Sequence, residues 1–435
     1  MLAGLQNVFR IEELRRRIIF TAAMLAVYRV GCIVVTPGIN GNVIRQFFSD
    51  MQGTMFGLLN VFSGGAMEQL SIFALGIMPY ISASIIFQLL TVVIPALERL
   101  KKEGSEGQKR ITQWTRYATI GLALFQSFLM SIALENGQFG QGAVLEPGWS
   151  FRLTTMITLT AGTAFIMWLG EQVTERGIGN GISLIIFSGI IVGLPSGLSN
   201  VFDLVRTGEF DILTVIVLGV IVIAAIAFVV FVERGQRRIP IQHARRGDGG
   251  GTSANMSYFP LRVNTAGVIP PIFASSLLML PLTIRQYSDN PTIQNFIDDW
   301  MNPGDIAYNL VYVALIIFFC FFYTSIMINP DDVSENIKRS GGYIPGVRPG
   351  RKTADYIDAV LSRLTLVGAI YVAAICVLPV MLSQYMSVPF YFGGTALLIV
   401  VSVSLDTMGQ IEAHLVSRKY DGFSGTGRVR GRLSR

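Results

Sequence analysis

Few residues in this chain are of a type that does chemistry, and none stand in a catalytic spacing. The two histidines are His243, in a hydrophilic stretch, and His414, at the end of an apolar block. Both read as ordinary polar residues. Cys32, Cys320 and Cys376 each lie inside an apolar block, and no C-x-x-C pairs them, so neither a disulfide framework nor a metal site is indicated. The chain has no H-E-x-x-H, G-x-S-x-G or P-loop motif. An enzyme reading therefore has no residues to stand on, and no cofactor is implied. The main charges within or beside apolar blocks are Arg29, Glu171 and Asp406. An ion-coupled carrier places such groups near the membrane midplane. Glu171 and Asp406 fall near block ends, where a salt bridge or solvation fits better, and Arg29 can snorkel or pair. Its type alone gives it no function.

The elements that hold these residues are apolar blocks of membrane length. Of the 435 residues, 51% are hydrophobic and only 14% charged, and the mean hydropathy is +0.53. Soluble domains carry about 25% charged residues. A helix crosses the hydrocarbon core with about 20 apolar residues, and ten candidate spans follow: Ile18–Thr36, Leu70–Ile94, Trp114–Leu134, Leu153–Leu169, Ile182–Leu198, Ile212–Val232, Thr265–Ile284, Tyr308–Ile328, Leu364–Leu382 and Phe390–Ala413. Ten is even, so both ends share a side. Of the 34 lysines and arginines, all but Arg29, Arg45, Arg152, Arg206 and Arg285 lie on the side of the termini. The positive-inside rule makes that side the cytoplasm. No small-residue cleavage site follows the first apolar run, so the first span is expected to be retained. Splitting the chain into residues 1–200 and 201–435 gives two five-helix halves of opposite orientation, an arrangement that often encloses a pathway. The fold class is thus an all-α, ten-helix membrane protein.

Three features stand out along the chain. Thr54–Ala66 (TMFGLLNVFSGGA) is apolar but too short to span. It reads either as a re-entrant segment, which must be buried in protein or line a cavity, or as an amphipathic helix on the outer membrane surface. Pro79 and Pro270–Pro271 are placed at the middles of the second and seventh spans, where they would bend them. Basic residues crowd two Gly/Pro-containing loops, Arg234–Arg246 and Ser340–Lys352. They set topology, and they also offer a docking surface for a polyanion such as ribosomal RNA or an acidic protein.

Several long runs carry a resemblance: FSGGA (Phe62–Ala66), SIFALGIMPYISASIIFQLLTVV (Ser71–Val93), KKEGSEGQKRITQWTRY (Lys101–Tyr117), ERGIGNGISLIIF (Glu175–Phe187), FVERGQRRIP (Phe231–Pro240), AGVIPPIFASS (Ala266–Ser276) and IPGVRPGRKTADYI (Ile344–Ile357). Together they resemble the bacterial SecY family, channel subunits of the Sec protein-conducting translocon. The resemblance implies two inverted halves clasped by SecE, usually with SecG, a lateral gate open to lipid, and translocation or membrane insertion of nascent chains and signal sequences. It implies a pore ring of Ile77, Ile81, Ile182, Ile186, Ile272 and Ile399. It makes Thr54–Ala66 a plug, with Phe56, Leu58, Asn60, Phe62 and Gly64 in it. The second, third, seventh and eighth spans would form the gate, with Gln126 and Asn264 as a polar pair, and Arg237, Arg238 and Arg348 would face the ribosome or the SecA motor. Two departures weigh on this. The tip Gly247–Ala254 (GDGGGTSA) lacks the usual basic residues, and Arg351 stands where an acid is common. The rivals are an inverted-repeat secondary transporter, disfavoured by the lack of midplane ionisable groups, and a scaffold, which leaves ring and plug without a purpose.

Overall fold

The computed structural model describes residues 11–50, 60, 63–208, 211–243, 256–287, 305–386 and 394–424. A helix lies on each of the ten expected spans: α1 (Glu12–Ile33), α3 (Met78–Val93), α5 (Ser105–Glu135), α6 (Trp149–Arg176), α7 (Gly181–Arg206), α8 (Ile212–Glu233), α9 (Ile269–Tyr287), α10 (Ile306–Met327), α12 (Arg351–Met386) and α13 (Gly394–Ser424). Short helices α2 (Gly41–Asp50), α4 (Pro95–Lys102) and α11 (Pro330–Arg339) join them. Among the described residues, six helical stretches are long and apolar enough to cross a membrane, or seven if α3 and α4, bent by 99° at Ile94, count as one. In α8 Val229 is the buried residue, while Ile212, Val220, Ile223 and Phe231 are exposed. A helix apolar all round with so little cover from its own chain has to face lipid or another membrane protein.

The structure corrects the proline reading. Residues 70–77 are turns, so the second helix starts at Met78 rather than Leu70, and Pro79 sits in its first turn. Pro270 and Pro271 likewise open α9. A first-turn proline gives up only a donor that has no helical partner, so these residues start helices instead of bending them. The prolines that do interrupt helices are Pro195, Pro281 and Pro379.

The two basic loops are also more ordered than their composition implied. Residues Gln236–His243 (β1) and Met256–Arg262 (β2) form an antiparallel hairpin, and β1 pairs on its other edge with Gly342–Tyr343 (β3). Ile239, Ile241, Leu261, Ile337, Ile344, Ile357 and Leu361 bury one face of this sheet against α11 and the start of α12. Alternation along a strand turns Ile239 and Ile241 inward. The tip Gly247–Ala254 lies outside the described residues.

Non-helical backbone in the interior requires close approach, and two glycines provide it. A Cβ on Gly31 of α1 would lie 1.9 Å from the Phe73 ring, and one on Gly162 of α6 would lie 1.8 Å from the Ile72 carbonyl oxygen. The ring can shift, but the carbonyl belongs to backbone fixed by its neighbours. Gly162→Ala is therefore expected to cost more than Gly31→Ala, each about 1–3 kcal/mol of overpacking. Melting temperature in detergent and the yield of membrane-inserted protein check that order.

Candidate functional site: an apolar waist beside a tethered segment

Three long helices and the start of another converge where the six isoleucines lie. Ile77 is the N-cap residue of α3, and the Ile81 amide bonds its carbonyl one turn later at 3.1 Å. Ile186 comes from α7, Ile272 from α9 and Ile399 from α13. All five are buried in one hydrophobic cluster, from 1% exposed at Ile399 to 8% at Ile81. Ile182 is half-buried at the edge of that cluster, leaning toward Gly170 of α6. An apolar constriction offers water no hydrogen-bond partner and can block ions by dewetting.

Beside this waist runs the segment that composition left open between a re-entrant and a surface form. Of Thr54–Ala66, Asn60 and Ser63–Ala66 are described, and from Ser63 on to Ile77 the chain is interior: Ser63, Ala66, Leu70, Ser71, Phe73 and Ala74 are all buried. Its backbone groups find partners outside any helix. Ser71 donates to the Ala66 carbonyl at 2.9 Å, Ile72 to Val34 at 2.9 Å, Gly76 to Phe73 at 2.8 Å, and Thr36 donates to Leu70 at 3.0 Å. Asn60 and Glu68 close the turn reciprocally: the Asn60 amide donates to the Glu68 carboxylate at 3.1 Å, and the Glu68 backbone donates to Asn60 Oδ1 at 3.0 Å. Leu70 holds φ +42°, which a β-carbon disfavours. Phe56, Leu58 and Phe62 lie outside the described residues.

Two residues that sequence reasoning left without a role hold this segment. The Tyr28 hydroxyl donates to the Ser63 carbonyl at 3.0 Å, and Arg29 Nη1 donates to the Gly64 carbonyl at 2.8 Å. The second guanidinium nitrogen, Nη2, donates to the Ser188 carbonyl of α7. Gly64 has φ +70°, and a Cβ there would sit 2.8 Å from Gly189 Cα, so only glycine fits. The available signal was a charged residue within an apolar span.

The gate residues are placed differently from a simple pair. α3 packs against both α5 and α9, and α9 packs against α10, so the four expected gate helices stand in a row with the α3–α9 seam at its middle. Asn264, just before α9, donates to the Glu233 carboxylate at 2.7 Å and exchanges hydrogen bonds with Gly267 at 3.1 Å. Gln126 on α5 makes no hydrogen bond among the described residues, and none joins it to Asn264. Side chains at 264 are thus spent on the end of α8, a contact that spacing alone cannot show. Glu171 pairs with Arg116 at 2.7 Å and Asp406 with Arg262 at 2.9 Å, so both charges have salt-bridge roles. Arg237 and Arg238 are exposed on β1, and Arg348 is exposed between Gly346 and Gly350, both at positive φ.

Fold and site together define a class: a multi-pass helical membrane protein with a buried isoleucine cluster beside an interior non-helical segment. Comparison makes the family specific. A family model for SecY matches residues 71–408. The protein translocase subunit SecY of Escherichia coli strain K12 is 49% identical over 413 residues, covering 94% of this chain and 93% of the relative. That of Pseudomonas aeruginosa is 48% identical over 425 residues, covering 97% and 95%. Among solved structures, a protein-conducting channel shares the fold at TM-score 0.64 and 18% identity, covering 95% of each chain. Sec61 in a canine ribosome–channel complex from the endoplasmic reticulum does so at 0.63 and 17%, again over 95% of each. The chain belongs to the SecY family.

Replacing Asn264 by Leu leaves the Glu233 carboxylate without its side-chain donor, an expected loss of about 1–3 kcal/mol. Gln126→Leu breaks no such bond and should change stability by less than about 0.5 kcal/mol. Thermal unfolding of the purified channel, reading the two variants side by side, checks the contrast.

Proposed function

We propose that the six isoleucines are the permeability seal of a protein-conducting channel, through which unfolded polypeptides cross the membrane and from which apolar segments leave sideways into lipid. The observation that carries this reading is the meeting of Ile77, Ile81, Ile186, Ile272 and Ile399 from separate elements in one buried cluster. Ile182 completes the ring at its edge. Residues 54–66 act as the plug, with Asn60 and Gly64 at its anchored end. The row α5–α3–α9–α10 is the lateral gate, its seam dividing the halves 1–200 and 201–435, and Gln126 and Asn264 border the gate. The bias of lysine and arginine supports a cytoplasmic side for both termini and the three-stranded sheet, and the membrane of this reading is the plasma membrane of a bacterial cell. The sheet unites both basic loops on one platform, which supports a docking face for the ribosome and the SecA motor through Arg237, Arg238 and Arg348. The driving energy comes from those partners, since the chain has no nucleotide-binding motif. SecE and SecG complete the channel, and the little-covered α8 is a surface on which a small membrane partner can pack.

Changing Ile77, Ile81, Ile186 and Ile399 together to Ser wets the waist and removes the apolar seat beside the plug. Resting ion conductance in planar bilayers is expected to rise well above wild type while export persists. A stable, export-competent and ion-tight quadruple variant would show that the isoleucines are packing core and nothing more.

Arg348→Glu turns attraction into repulsion at an exposed tip. The tip is built from within, because the Arg348 carbonyl accepts from Thr353 Oγ1 at 3.0 Å and the Ser334 hydroxyl donates to the Gly350 carbonyl at 2.7 Å. The side chain itself is free of those bonds, so the fold should survive. Motor-driven export is expected to fall further than membrane integration, and equal loss of both activities would argue against a motor-specific contact.

A further inference from the structure

We infer that Arg29 is a latch which couples seating of the plug to the position of α7, so that one guanidinium holds the resting channel shut at two points. The inference rests on reading residues 54–66 as the plug. Arg29 lies in α1 and reaches two other elements at once, the Gly64 carbonyl through Nη1 and the Ser188 carbonyl through Nη2. Its planar fork suits two separated acceptors, as a lysine ammonium does not. Among the described residues no carboxylate pairs with it, and Nε has no partner. Among those residues its charge is met by backbone oxygens and by the Tyr28 ring, 5.5 Å away. A charge held that way in a membrane interior depends on those few acceptors.

The placement explains why the two contacts act together. Ser188 is two residues beyond the waist residue Ile186 on the same helix, and Gly189 lies against Gly64. If the plug leaves, the guanidinium loses the Gly64 carbonyl that fixes its orientation, and its hold on Ser188 of α7 weakens. If α7 moves as the waist widens, Nη2 loses Ser188 and the hold on the plug weakens. Each movement therefore lowers the cost of the other. Tyr28 adds a second bond to the neighbouring Ser63 carbonyl, and its stacking on Phe73 at 5.9 Å between ring centroids fixes the ring that bears it.

The test uses the full channel with its partner subunits in proteoliposomes. Ser63, buried at rest, is replaced by Cys, and its labelling by a membrane-impermeant maleimide is timed; the native cysteines are buried. Arg29→Gln is expected to speed labelling at least tenfold and to raise resting conductance. Arg29→Lys, which can satisfy one carbonyl at a time, should fall between Gln and wild type, a grading that a simple packing role would not produce. Tyr28→Phe should speed labelling about threefold. Unchanged labelling in Arg29→Gln overturns the latch. Where Arg29→Gln fails to assemble, Tyr28→Phe and Arg29→Lys decide, and wild-type rates in both overturn it. Deleting residues 54–66 separates this proposal from the reading beneath it. If the deletion leaves conductance unchanged, the plug assignment fails. If the deletion raises conductance but Arg29→Gln in the full chain does not, the latch alone fails. If Arg29→Gln adds nothing to the deletion, the arginine acts through the plug, as inferred.

Discussion

Every peptide group in a membrane interior needs a hydrogen-bond partner, because lipid supplies none. Helices meet that demand within themselves, and most of this chain takes that route. The stretch Ser63–Ile77 does not, and the surrounding architecture follows from the exception. Its amides and carbonyls are met by one another, by Val34 and Thr36 after α1, and by the side chains of Tyr28 and Arg29. Helices α1, α6 and α7 have to stand close enough to enclose it, which is why glycine occupies positions 31, 162 and 189, where that backbone or its side chains come nearest.

The same economy of space governs the helix contacts. The hydrophobic effect does not draw helices together within lipid, so small residues and interhelical hydrogen bonds set the packing. Ser127 of α5 meets Thr160 of α6 at 3.3 Å, and Thr115, Thr119, Ser131, Thr155 and Thr163 are buried along the same pair. The α3–α9 seam is sparser, and its neighbouring polar group, Asn264, is turned toward Glu233. A tightly joined α5–α6 pair beside a lightly joined seam is the distribution expected of a body that parts along one line.

Much of this was legible in the sequence because membrane helices announce themselves by length and hydropathy. All ten expected spans carry helices, and the long motifs pointed to the family that the comparisons identify. What escaped was set by contact at a distance. Leu70–Ile77 is as apolar as the helix that follows it, so hydropathy could not mark the point where turns give way to helix. The hairpin and its third strand come from loops far apart in the chain, and their polar surface hid the alternation of Ile239 and Ile241. Asn264 was read toward Gln126, whereas Glu233 at the end of the preceding helix lies within reach and is the stronger acceptor. Arg29 was set aside because its partners are carbonyls, which every residue has and no pattern of side chains reveals.

A bacterial membrane often separates compartments of different acidity, and the groups at this waist are indifferent to that. Isoleucine side chains and peptide carbonyls have no proton to exchange. The barrier proposed around Ile77, Ile186 and Gly64 is thus built on side chains and carbonyls that a pH difference does not titrate. A histidine or carboxylate in the same place would have tied tightness to the energy state of the membrane. On the proposed reading, a pH difference across the membrane leaves the protonation of the isoleucine and peptide groups at the resting barrier unchanged, so acidity acting on those groups cannot loosen it.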